Sequence, residues 1–101
     1  QGEGLIRVCV TGEIDAYTAP KLREKLFPLV EGKVSMIVDL SGVSYMDSTG
    51  LGVFVGIFKT VRSKQGEFEM VGLSNRLQRL FEITGLADII HITSGTKGGV
   101  Q

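Results

Sequence analysis

The stretch Asp47-Ser48-Thr49-Gly50 is the part of this 101-residue sequence best equipped for chemistry. Leu51, Val55, Phe58 and Val61 recur at helical spacing just downstream, so two hydroxyls fall on the first turn of a predicted helix. Backbone N–H groups in a first turn lack intrahelical partners, and the helix macrodipole is positive there, so negative charge is welcome. A phosphate carried by Ser48 would lie near those donors rather than oppose them. The plainer role for Ser48 or Thr49 is the helix N-cap, and on this motif alone the cap is the favoured reading.

Other chemistries fit less well. A nucleophile elbow reads G-x-S-x-G; Gly50 fits it, but Met46 stands at the first glycine position. The single histidine, His91, falls in a predicted strand and would have to serve as the base. Asp15 and Asp47 are candidates to share a Mg²⁺ ion, but no third ligand can be named, and solvated loop carboxylates are the better reading. There is no P-loop and no GxGxxG, so neither a nucleotide cofactor nor a metal is expected. Cys9 reads as a small strand residue facing apolar groups. Gly52 and Gly56 stand one turn apart on the predicted helix, where each costs roughly 0.5–1 kcal/mol relative to alanine. They offer a smooth strip for close packing on the domain's own sheet or for a partner.

Four short apolar runs must position these residues. Leu5–Thr11 and Glu67–Val71 alternate as half-buried strands do, Val34–Leu40 is nearly continuous as a strand covered on both faces should be, and Asp88–Ile92 is the shortest. Between them, Thr18 and Pro20 open a helix that Pro28 should kink or shorten before Gly32. A second helix ends near Gln65–Gly66, and a third starts at Ser74 as N-cap and stops at Gly85. Strand and helix in strict alternation give an α/β fold with a parallel sheet. Binding sites in such sheets gather beyond the carboxyl ends of the strands. Three segments should occupy that rim: GEIDAYT, SGVSYMDSTG and the Gly72–Ser74 turn, carrying Glu13, Asp15, Asp47, Ser48, Thr49 and Ser74. The polar, Gly-rich residues 93–101 are expected to form a mobile tail.

Length suits one domain over residues 1–101, with enough apolar material (43%) for a real core. Eleven basic residues cancel eleven acidic ones without clustering, which argues against nucleic acid as a main partner. No apolar run approaches the roughly 20 residues a membrane span needs, and no signal peptide is visible. One cysteine and no internal disulfide suit the cytoplasm. Gln1 is not an initiator methionine, so the sequence is compatible with a trimmed chain.

The segments GEIDAYTAPKLREKL, VSYMDSTGLGVFVGIFK and LSNRLQRLFEITGLADII together resemble the anti-sigma factor antagonists of Gram-positive bacteria, whose fold is the STAS domain. The likeness covers almost the whole chain, and DSTGLG is its specific part. Within the family the residues are more similar to the branch acting on sigma-B, the general stress sigma factor, than to the sporulation branch. The resemblance implies a non-enzymatic partner switch. The unphosphorylated antagonist binds an anti-sigma factor and frees the sigma factor. That anti-sigma factor, an ATP-dependent serine kinase, then phosphorylates the antagonist and releases it, and a PP2C-type phosphatase reverses the mark. Carried onto this chain, the phosphoacceptor is Ser48. The partner-facing rim is Asp15, Asp47, Thr49, Gly50, Gly52 and Ser74. An alternative within the same fold is a nucleotide- or anion-sensing module using the same helix start. Family members begin with a further strand antiparallel to the first, for which only residues 1–4 remain here, so an exposed sheet edge is expected.

Overall fold

The computed structural model describes residues 4–94. Four strands, β1 (Gly4–Ile14), β2 (Val34–Met46), β3 (Glu67–Leu73) and β4 (His91–Ser94), form one sheet in the order β1-β2-β3-β4, every pair parallel. Three helices connect them: α1 (Ala19–Leu26), α2 (Ser48–Ser63) and α3 (Asn75–Ile83). This is the α/β architecture that the alternating pattern predicts. Residues 1–3, on which the expectation of a shortened leading strand falls, lie outside the described residues. Among the described residues, β1 pairs on one side only, with β2.

The register stacks the core in levels. Val8, Val38, Met70 and Ile92 stand abreast across all four strands. Against them the helices press Leu26, Phe54, Ile57, Val61 and Phe81, each at most 1% exposed. Burial along β2 alternates: Val34, Met36, Val38 and Leu40 are buried, whereas Ser35, Ile37 and Asp39 are only partly covered. The same holds in β3, where Phe68 and Met70 are buried beside exposed Glu67. The expectation that β2 is covered on both faces is therefore corrected. The described residues cover the second face of the sheet only in part, and Ser35 and Asp39 are the polar positions that make this tolerable. There Arg7 Nη2 reaches Asp39 Oδ2 at 3.4 Å. The Asp39 carboxyl is held below the usual aspartate range, chiefly by the Ser41 N–H.

Element ends depart from the sequence reading in places that have physical causes. Helix α1 stops at Leu26, and Phe27–Leu29 continue as a short 3-10 turn, because Pro28 has no N–H to donate and its ring crowds the preceding turn. Gly85, at φ +82°, ends the third helical segment as expected, but a further 3-10 turn, Leu86–Asp88, follows it. The Ile90 N–H donates to the Leu86 carbonyl (2.9 Å), so Asp88–Ile90 belong to that turn and the last strand begins only at His91. Ile90 is nevertheless 1% exposed and fills the core from the turn, which is why the run read as strand. Thr93 and Ser94 lie in β4 and are not tail; residues 95–101 of the expected mobile tail lie outside the described residues.

Candidate functional site

The largest correction concerns the rim itself. β2 does not end at Leu40 but pairs with β1 as far as Ile14 and Met46, through two register shifts, each with the extra residue in β2. Six of the ten residues expected in a loop, Ser41–Met46, are therefore strand. Asp47 alone joins the strand to α2. Its N–H donates to the Ile14 carbonyl (3.2 Å), tying the end of β2 to the end of β1.

Asp47 is also the N-cap of α2. Its Oδ1 accepts hydrogen bonds from the N–H groups of Thr49 (2.9 Å) and Gly50 (3.3 Å). The capping role weighed for Ser48 or Thr49 is thus taken by their neighbour, an assignment that Asp's standing among the best N-cap residues supports. Two consequences follow for Ser48. It occupies the first position of the helix, exposed, and its hydroxyl has no hydrogen-bond partner among the described residues. Two first-turn donors that a bound anion would use are already held by the Asp47 carboxylate. The helix start is therefore less open to a free anion than spacing alone suggests. A phosphate on Ser48 would stand beside a fixed carboxylate, with its charge turned to the surface.

Asp15 closes the adjacent turn. Its Oδ1 accepts from the Tyr17 N–H (2.9 Å) and the Thr18 N–H (3.1 Å), while the Thr18 hydroxyl accepts from the Asp15 N–H (2.9 Å) and donates to the Glu13 carbonyl (2.8 Å). These donors, Thr18 first, hold the Asp15 carboxyl below the usual aspartate range. Because the folded value is depressed, the stability it lends is complete above the ordinary value and is lost as pH falls through the folded value. In an NMR titration the Asp15 carboxyl is expected to show a midpoint below the roughly 3.9 of an unstructured aspartate. A midpoint at or above that value would mean the turn does not hold in solution.

The glycines divide. A Cβ on Gly50 would stand 2.6 Å from Ile14 Cγ2 and 2.9 Å from Met46 Cγ, so this buried residue lets α2 sit on the strand ends. Its expected place on the docking rim is corrected to packing. A Cβ on Gly56 would stand 3.3 Å from Phe27 Cζ, so this glycine lies under the Phe27 ring. Of the three glycines in α2 only Gly52 is open, with nothing within 4 Å of where a Cβ would stand, and it is exposed one turn along from Ser48. Ser74 caps α3 as expected, its Oγ accepting from the Leu77 N–H (3.2 Å). Asp15, Asp47, Ser48, Thr49 and Gly52 thus share one rim, and the Ser74 hydroxyl is engaged in holding α3.

The Ser48–His91 pair that a hydrolase needs does not assemble. His91 is level with Glu69 and Ile37, beside Glu69 Oε2 at 3.8 Å. Met46 lies about nine residues further along β2, on the order of 25–30 Å at strand rise. Among the described residues no group of three or more His, Cys, Asp or Glu side chains could hold a metal ion. No helix among them is long and apolar enough to cross a membrane. Sequence reasoning missed two rim tyrosines: Tyr17, 87% exposed in the Asp15 turn, and Tyr45, half-exposed near the end of β2. Their signal, an aromatic between turn-forming or polar neighbours, does not by itself tell exposure from burial.

The family model for the STAS domain matches residues 2–97, and the chain belongs to that family, among the anti-sigma factor antagonists. It is 56% identical over 101 residues to the anti-sigma-B factor antagonist of Bacillus subtilis, covering all of this chain and 93% of the relative. It is 62% identical over 89 residues to the protein of the same name from Listeria monocytogenes, covering 86% of this chain and 77% of the relative. The crystal structure of an anti-sigma factor antagonist from Mycobacterium paratuberculosis superposes with a TM-score of 0.79 at 29% identity, over 88% of this chain and 76% of that one.

Proposed function

We propose that this chain is an anti-anti-sigma factor switched by phosphorylation of Ser48. Unphosphorylated, it binds an anti-sigma factor and frees the sigma factor, which the names of its relatives give as sigma-B. The anti-sigma factor doubles as an ATP-dependent serine kinase, and its transfer of phosphate to Ser48 ends the binding until a PP2C-type phosphatase removes it. The reading makes the chain a substrate and a binding module, not an enzyme, and its partners place it in the cytoplasm. The observation that carries this reading is the Ser48 hydroxyl itself: exposed, without a hydrogen bond among the described residues, and presented on the helix start that Asp47 caps.

The switch needs no refolding. A phosphate adds about −1.5 to −2 charge to a rim that already carries Asp15 and Asp47. A partner surface shaped to a small hydroxyl then meets extra bulk and a charge it must desolvate. Incubation with ATP and the cognate anti-sigma kinase, followed by intact-mass measurement and peptide mapping, tests the assignment. One phosphate on Ser48 is expected. Phosphate on Thr49 would refute the choice of residue. Tight nucleotide binding by the chain alone, with no kinase-dependent mass change, would favour the anion-sensing alternative.

A further inference from the structure

Beside Ser48, the end of β2 and the outer side of α3 enclose an apolar groove of about 240 Å³. Met46 and Leu77, both buried, form its floor, and Tyr45 and Ile83 stand at its walls, 47% and 74% exposed. Single exposed apolar residues are ordinary on a protein surface. Two of them facing one groove, with polar neighbours around it, mark a place for another molecule. The volume falls short of the several hundred Å³ typical of small-molecule pockets, and suits one or two protein side chains.

Arg76 and Arg79 also line the groove, and neither has a hydrogen bond or ion pair among the described residues. The rim is therefore bipolar. Glu13, Asp15 and Asp47 make one flank of Ser48 acidic, while the groove flank carries two unpaired guanidiniums. Free guanidiniums next to an apolar slot select a segment that offers an apolar side chain with carboxylates beside it, since arginine pairs with carboxylates in a fixed two-pronged geometry.

We infer that this groove is a docking site for an acidic, apolar-tipped segment of the anti-sigma kinase, separate from the contact made at Ser48 itself. The inference rests on the proposed function, because the β2 residues lining the groove, Ser44 to Met46, run up to Asp47 on the same rim, so the partner that covers Ser48 reaches it. The groove then supplies affinity and orientation, while Ser48 supplies the switch.

Calorimetric titration of the full, unphosphorylated chain with the kinase tests this with two independent variants. Ile83→Ser removes the apolar wall at an exposed position, and the double variant Arg76→Glu/Arg79→Glu reverses the charge. Each is expected to weaken binding about tenfold or more, as loss of an interface anchor does. The loss in the charge-reversed variant should shrink as salt rises from low to physiological concentration. Wild-type affinity in both variants overturns the docking site. A loss for Ile83→Ser with none for the arginine variant overturns the acidic character assigned to the partner segment. If the wild-type chain itself fails to bind the kinase, the functional reading falls, and this inference with it.

Discussion

Replacing Ser48 with aspartate is expected to weaken binding to the anti-sigma kinase by about a hundredfold or more, whereas Ser48→Ala binds as the wild type does and accepts no phosphate. The magnitude follows from the geometry. An uncompensated charge buried at an interface costs about 3–5 kcal/mol, and each 1.4 kcal/mol is a factor of about ten. The two nearest first-turn donors do not offset that cost, since the Thr49 and Gly50 N–H groups are already bonded to Asp47. Aspartate carries less charge than a phosphoserine, so the phosphorylated chain should bind more weakly still. Surface plasmon resonance against immobilised kinase measures all three species. Equal affinity for Ser48→Asp and wild type would remove charge from the mechanism.

Phe54→Ala has the largest expected effect on stability, a loss of about 3–5 kcal/mol from emptying a core site. Phe54 is 0% exposed, in the middle of the helix that carries Ser48, and it packs within the single core formed by the sheet and helices. Small domains hold only about 5–15 kcal/mol in total, so this one change takes a large fraction of it. Urea denaturation should show the midpoint fall with an unchanged slope. A loss below about 1 kcal/mol, smaller than any usual aromatic truncation, would mean that α2 is not seated on the sheet as described. Because Ser48 keeps its place only while α2 stays seated, the surviving folded fraction should retain kinase affinity.

The sequence made the alternation of strands and helices legible, because apolar runs and breakers report burial period directly. It also located the hydroxyl that the rim presents. What escaped it depends on which face a neighbouring element covers. The continuous apolar run of β2 suggested two buried faces, yet Ser35 and Asp39 interrupt it on the side the helices leave open. The extension of β2 to Met46 was hidden because Ser41, Gly42 and Ser44 read as turn formers. Pairing to β1 along Gly42, Val43 and Tyr45 overrides that local preference. Its loop setting makes Asp47 read as a solvated carboxylate, although capping is what its position at a strand-to-helix junction favours. The family resemblance chose Ser48 over Thr49; the geometry adds that Ser48 is released from capping by its neighbour.

The most direct test mixes the purified anti-sigma–sigma complex with the chain in its two states and separates the products by size exclusion. The unphosphorylated chain should displace the sigma factor, which elutes free while the chain co-elutes with the anti-sigma factor. The chain carrying phosphate on Ser48 should leave the complex intact and elute alone. Release of sigma by both forms, or by neither, would contradict the account.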